Sequence, residues 1–176
     1  KPRARLRFVS LKPLPPRREG AYIAKGEILR RIGKKSSLGS AEEFVRDWGR
    51  HNLENLLAAA LAAASYGVPA PAIRNAIATL PQMKFRQEVI LRRDNLEVVN
   101  DTNATSPEAT IAAIERFAAR GENLILVCGG TDRDLDFTTL GREIARRLPK
   151  KNLILLGGSA TEKLKRAIGW RRFFVQ

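Results

Sequence analysis

The 176-residue sequence predicts an α/β chain in two parts that meet near Pro81. Three observations carry that expectation. Two segments, residues 123–128, apolar after Asn123, and 153–156, each run into a Gly-Gly pair, and helix-forming stretches alternate with them. Residues 52–66 form a leucine- and alanine-rich tract with strong helix preference. Ahead of both, the first forty residues hold only short β-favouring pieces between prolines and glycines.

In chain order, residues 5–10 and 21–31 read as strands separated by the proline-rich K-P-L-P-P-R-R-E-G. They are too few for a closed sheet, so residues 1–40 are expected to be the least protected part of the chain. Asn52 is placed to cap the helix of residues 52–66 and Gly67 to stop it; its alanines suit close packing on a neighbour. A second helix spans residues 71–80, with Pro71 in its first turn and Pro81 beyond its end. Residues 87–93 and 96–100 then read as strands about an Arg-Asp-Asn turn. Residues 107–120 form an amphipathic helix with Ser106 as N-cap and Gly121 after it. Helices over residues 137–148 and 161–168 flank the second apolar strand, and residues 173–175 begin another. Apolar strands alternating with helices imply a parallel sheet buried on both faces with right-handed crossovers, a Rossmann-like layer.

Composition allows a packed core, with 44% hydrophobic and 28% charged residues. Cys128 is the lone cysteine, which excludes a disulfide framework and a cysteine-based zinc site. No apolar run approaches the roughly 20 residues that cross a bilayer, and nothing resembles a signal peptide, so a soluble, cytoplasmic protein is expected. The net charge of +14 is uneven: residues 1–40 hold 12 Lys/Arg against 2 Asp/Glu, residues 41–176 hold 20 against 16. A basic arm of that kind keeps open a nucleic-acid-binding α/β module, although little aromatic interleaving is present for base stacking.

In an open parallel sheet, ligands gather at the carboxyl ends of the strands. Three segments fall there: N-D-T-N-A-T-S-P, C-G-G-T-D-R-D-L-D-F and G-G-S-A-T. They place Asp101, Thr102, Asn103, Thr105, Thr131, Asp132, Arg133 and Asp136 along one rim. A plainer reading stands beside this one, in which Asp101 and Ser106 cap the next helix and the glycines only make tight turns. The Gly-Gly pairs lack G-x-G-x-x-G spacing, and no G-x-x-x-x-G-K-[ST] phosphate loop is present. His51, the one histidine, has no acid or nucleophile at a catalytic spacing and reads as a residue at the mouth of a helix.

G-R-H-N-L-E-N-L-L-A-A-A (residues 49–60) resembles the H-N-x-x-N-x-x-A-A segment that closes the central ATPase domain of the Mur ligase family. V-V-N-D-T-N-A-T-S-P-E-A-T (98–110) and G-G-T-D-R-D-L-D-F (129–137) resemble the C-terminal domain of the family's D-glutamate-adding branch. The resemblance runs in order from about residue 20 to 170. It implies that residues 1–81 end the central ATPase domain and that residues 82–176 are a truncated, Rossmann-like C-terminal domain. It assigns ATP binding to Asn55 (adenine), Arg86 and Asp101 (ribose), and substrate binding to Thr105, Arg133 and Asn103. Departures are Phe85 where histidine commonly precedes the arginine, Asn103 where many members have lysine, and Arg133 where lysine is usual.

The reaction implied is phosphoryl transfer from ATP, with Mg2+, to the carboxylate of UDP-N-acetylmuramoyl-L-alanine, followed by attack of the D-glutamate amine on the acyl phosphate. That is a step in peptidoglycan precursor synthesis, and so in cell-wall growth, cell shape and division. No catalytic or metal-ligating residue is assigned within these residues, since the phosphate loop and magnesium ligands lie elsewhere in the family. The expected whole enzyme is a cytoplasmic monomer without membrane or nucleic-acid partners, and the chain alone is expected to be inactive. The alternatives are another Mur or folylpolyglutamate-type ligase, or the basic nucleic-acid-binding module.

Overall fold

The structure, a computed structural model, describes residues 5–118 and 123–170. The chain divides into two compact units, Lys1–Pro81 and Gln82–Gln176.

In the first unit, β1 (Phe8–Ser10), β2 (Gly20–Ala24), β3 (Glu27–Ile32) and β4 (Lys34–Ser40) make one four-stranded sheet in that order. β1 lies parallel to β2, and β2 through β4 are antiparallel. The single strand expected over residues 21–31 is therefore a hairpin. Lys25 (φ 53°) and Gly26 (φ 75°) turn the chain in the left-handed region that a two-residue hairpin loop requires. β4, K-K-S-S-L-G-S, escaped the sequence reading because Leu38 is its only apolar residue; pairing with β3, not its own pattern, makes it a strand.

Three helices complete this unit. α1 (Ala41–Trp48) was also unforeseen. Ser40 caps it by accepting from the Glu43 amide at 3.2 Å, Glu42 and Glu43 suit the positive end of the helix dipole, and Gly49 (φ 81°) ends it. α2 (Asn52–Ser65) and α3 (Ala70–Ala78) follow close to expectation. Ala21, Ile28 and Leu38 of the sheet share a core with Leu53, Leu57, Ala60, Leu61 and Ala64 of α2 and Ile73 of α3. Small alanine side chains let α2 lie close on its neighbours. The short strands of residues 8–40 thus pair with one another and supply part of the first core.

One side chain gathers the carbonyls of the proline-rich loop. The Arg31 guanidinium donates to the carbonyls of Pro15 (2.7 Å), Pro16 (2.8 Å) and Arg18 (3.3 Å), and to the Tyr22 hydroxyl at 2.6 Å. Prolines bring no amide donor but keep their carbonyls, and those are what Arg31 collects. Arg18 lies over the Phe8 ring, and Arg7 pairs with Glu19. Part of the basic excess of residues 1–40 thus holds the fold together.

In the second unit, β5 (Glu88–Arg93) and β6 (Leu96–Asn100) form an antiparallel hairpin through Asp94 (φ 49°). Then follow α4 (Pro107–Ala118), β7 (Leu126–Gly129), α5 (Thr138–Arg147), a 3-10 turn (Lys150–Asn152), β8 (Leu153–Leu156) and α6 (Ser159–Ile168). β7 and β8 are parallel, with Leu126 opposite Leu153. Ile114 of α4, Leu140 and Ile144 of α5, and Leu164 and Ile168 of α6 pack with Leu153 and Leu155. Where α5 and α6 cross, a Cβ on Gly141 would collide with the backbone of Ala167, so glycine sets the spacing of the two helices. The strand expected at residues 173–175 lies outside the described residues.

Two expectations are corrected here. Among the described residues there is no single, mostly parallel sheet: β5–β6 and β7–β8 are separate two-stranded sheets. Nor are the apolar strands buried on both faces. Burial alternates along β7 and β8, and Ile125 (58% exposed), Val127 (55%) and Leu156 (48%) stay open. The core gathered on Leu153 and Leu155 covers one face only.

Candidate functional site

The second unit contains a cleft of ≈ 790 Å³. Every residue of β6 lines it, and so does every residue from Leu124 to Gly129. Successive side chains of a strand point to opposite faces, so a cavity that meets them all lies along the strand's edge and not above one face. The cleft is therefore the space beside the edges of two strands, roofed in part by Ile114 and Phe117 of α4.

The loops that follow these strands come together at this cleft. Asp101, Thr105, Thr131 and Arg133 line it, so three of the six candidate residues, Asp101, Thr105 and Arg133, share one site. The geometry combines an exposed guanidinium, two threonine hydroxyls and a carboxylate, which suits a ligand carrying both an acidic and a hydrogen-bonding group. Asp101 does not cap α4. Its Oδ1 accepts the Gln87 amide at 2.9 Å, whereas Ser106 performs the capping by accepting from the Ala109 amide at 3.3 Å.

Arg86 and Asn103 are not among the lining residues, but both are tied to Asp101's neighbourhood. The Asn103 amide donates to the Phe85 carbonyl at 2.9 Å, and the Phe85 amide to Glu88 Oε2 at 2.8 Å. Gln87 is buried, and its Oε1 accepts from Arg116 at 2.9 Å. Arg86 thus stands exposed between two residues held in the left-handed region, Phe85 (φ 63°) and Gln87 (φ 46°). Such conformations cost on the order of 1 kcal/mol each and persist only where surrounding bonds over-determine them. Arg133 has a similar neighbour in Asp134 (φ 60°).

Asn55 belongs to the first unit. It is exposed on α2, and its amide donates to Asn52 Oδ1 at 3.4 Å. Asn52 is not the N-cap that was expected. His51 occupies that position, and the Asn52 amide instead reaches back to the Trp48 carbonyl at 2.7 Å and contacts His51 Nε2 at 3.0 Å. The His-Asn-x-x-Asn string therefore joins the end of α1 to the start of α2.

The two Gly-Gly pairs do more than turn the chain. Gly129 (φ 135°), Gly130 (φ 119°) and Gly158 (φ 142°) adopt backbone angles that disfavour other residues, and a Cβ on Gly158 would overlap Gly130 itself. This close approach lets the Gly130 carbonyl accept from the Ala160 amide at 2.9 Å.

Sequence reasoning placed Asp132 and Asp136 on the rim but passed over Ser159 and Lys163, which fix it. Asp132 Oδ1 accepts the amides of Asp134 (3.0 Å) and Leu135 (3.3 Å), its own amide donates to Ser159 Oγ at 2.9 Å, and its carboxylate pairs with Lys163. The Lys163 ammonium holds the Asp132 carboxyl below the usual range, and that carboxylate in turn raises the lysine. Asp136 is lowered by the Thr138 hydroxyl. Burial pushes the Cys128 thiol up to about 11, so it stays protonated at neutral pH. Lys163 lies thirty residues beyond Arg133 and no local motif advertised it. Among the described residues no group of three or more His, Cys, Asp or Glu could hold a metal ion.

No family model matches the chain. Curated relatives do. The chain is 45% identical over 120 residues to the UDP-N-acetylmuramoylalanine--D-glutamate ligase of Roseiflexus sp. (strain RS-1), a match covering 68% of this chain and 25% of that protein. It is 36% identical over 151 residues to the ligase of that name from Acidobacterium capsulatum, covering 84% of this chain and 31% of the relative. With the Symbiobacterium thermophilum ligase it shares 30% identity over 167 residues, 94% of this chain and 35% of the relative. The chain thus spans about a quarter to a third of the length of the curated relatives it matches, and the resemblance read from its motifs extends to whole-sequence similarity.

Proposed function

We propose that this chain, a homologue of part of the D-glutamate-adding Mur ligases, is a segment of an ATP-dependent ligase that joins D-glutamate to UDP-N-acetylmuramoyl-L-alanine through an acyl phosphate. Residues 1–81 are the end of its central ATPase domain and residues 82–176 an incomplete Rossmann-like C-terminal domain. The observation that carries this reading is the meeting of Asp101, Thr105 and Arg133 at one cleft, in a chain similar over 94% of its length to such a ligase.

The roles follow the chemistry of each group. Arg133 offers a planar fork of donors to a carboxylate of D-glutamate, with Thr105 completing the grip and Asn103 beside it. Asn55 reads the adenine edge, Arg86 meets ATP, and Asp101 accepts from the ribose hydroxyls. When bound, Mg2+ supplies charge neutralisation at the phosphates. Among the described residues no group of three or more His, Cys, Asp or Glu stands together, and the sequence holds no phosphate loop. Those parts belong to the remainder of a longer polypeptide, so the isolated chain has no ligase activity.

The cleft supports the reading of an incomplete sheet. β6 and β7 present their edges to it, and Ile125, Val127 and Leu156 remain exposed on strands whose composition suits burial on both faces. A strand between β6 and β7 and a further covering layer would make one α/β/α sheet. No described helix is long and apolar enough to cross a membrane. The whole enzyme of this reading is a cytoplasmic monomer acting on small molecules. The basic-module alternative is weakened by Arg7, Arg18 and Arg31, which make contacts within the chain.

The test is ligation of radiolabelled amino acids to UDP-N-acetylmuramoyl-L-alanine by the uninterrupted polypeptide that contains these residues. ATP-dependent incorporation of D-glutamate, well above L-lysine or L-glutamate, is the expected result. Preference for another amino acid would move the chain to a sister ligase, and salt-sensitive nucleic-acid binding without ligation would favour the basic module.

A further inference from the structure

The loop between β7 and α5 carries Arg133, and it has no regular structure of its own over residues 130–137. What holds it is α6. The Gly130 amide donates to Thr161 Oγ1 at 3.4 Å, and that hydroxyl donates to the Leu156 carbonyl at 2.5 Å. The Ala160 amide donates to the Gly130 carbonyl, and the Asp132 amide to Ser159 Oγ. One turn further along α6, the Lys163 ammonium pairs with Asp132 and reaches Asp134 Oδ1 at 3.3 Å. The Asp132 side chain is only 15% exposed, and its Oδ1 already serves the amides of Asp134 and Leu135. Asp132 and Asp134 flank Arg133 on both sides.

We propose that Asp132 and Lys163 are positioning residues: together they lock the loop to α6 so that the Arg133 guanidinium is held at the cleft in the geometry that receives the ligand's carboxylate. Neither residue need touch that ligand. Asp132 shapes the loop backbone through two amides, and Lys163 anchors the shaped loop to a rigid helix. The physical warrant is that a flexible cation must spend ordering entropy on each binding event, whereas a pre-fixed one does not. The left-handed Asp134 fits this account, since a strained residue marks a loop set by its surroundings. The carboxylate's identity rests on the D-glutamate reading above; the tether does not.

The experiment uses this chain in four forms: wild type, Lys163→Met, Lys163→Arg and Arg133→Ala. Amide exchange of Asp134 and Leu135 is followed by NMR, together with titration by D-glutamate. Lys163→Met should speed exchange of both amides by about 10-fold while Ile144 and Leu155 in the core stay unchanged, and Lys163→Arg should restore protection. D-glutamate affinity should fall about five-fold or more in Lys163→Met, recover in Lys163→Arg, and fall further in Arg133→Ala. Unchanged exchange in Lys163→Met overturns the tether, as does wild-type affinity in that variant. If exchange responds but wild type takes up no D-glutamate, or Arg133→Ala binds it normally, the tether stands and the D-glutamate reading falls.

Discussion

The two units solve the same problem differently. In the first, each strand finds its neighbour close in sequence: β2 meets β3 across two residues, β3 meets β4 across Gly33, and α2 closes the core over Ala21, Ile28 and Leu38. In the second, a more apolar set of strands is split between a hairpin and a parallel pair, with a cleft along two edges and Val127 and Leu156 bare. Antiparallel hairpins complete themselves locally; parallel strands need crossovers and partners from farther along a chain. Hydrophobicity alone therefore did not tell which half was self-contained. The basic half, whose strands are the less apolar, is the better sealed.

The two tryptophans allow each unit to be followed alone, since Trp48 packs on the first core and Trp170 on the second. The largest expected effect is Gly158→Ala. Its φ of 142° and the contact with Gly130 leave no room for a Cβ, so the Trp170 transition should lose more than about 3 kcal/mol and the Trp48 transition none. Leu57→Ala should do the reverse. Leu57 is fully buried, and emptying its site should cost the Trp48 transition about 3 kcal/mol in a denaturant titration. A shift of both transitions by either variant would break the comparison.

Hydrogen exchange sharpens it. β3 has a strand on each side, whereas β7 pairs only with β8 among the described strands. Amides of β7 should exchange on the order of 100-fold faster than those of β3; equal protection would mean that the open edge is covered. Arg31→Ala should release the proline loop, costing about 1–2 kcal/mol in the first unit. The smallest effect is one of pH. The lowered Asp132 stabilises the second unit above the ordinary carboxyl value of 3.8, and that contribution is lost as pH falls through its folded value. Raised Lys163 contributes below 10.5 and loses its effect as pH climbs past its own folded value. Asp132→Asn should flatten the acid side of the Trp170 stability profile and leave the Trp48 profile alone.

How much of this could be read in advance depended on what kind of force set each feature. Helix α2 was legible because Leu and Ala carry their preference locally, and β8 fell where its apolar run said. β4 and α1 were not, because K-K-S-S-L-G-S becomes a strand only through its partner, and the capping Ser40 sits directly after it. At the candidate site, the gathering of Asp101, Thr105 and Arg133 followed from strand ends alone. The coupling of Asp101 to Gln87 and of Asp132 to Lys163 did not, since each spans fourteen residues or more and depends on packing that no local pattern encodes. The same limit hid the split between the strand pairs, which arises from edges and not from composition.

The most direct test of the central claim is steady-state ligation kinetics of the uninterrupted polypeptide that contains these residues, carrying Arg133→Ala. The account predicts a KM for D-glutamate raised about 10-fold or more with the KM for ATP little changed, because the lost contact belongs to the acceptor's carboxylate. An unaltered D-glutamate KM would contradict it, and the cleft would then have to serve something other than the acceptor.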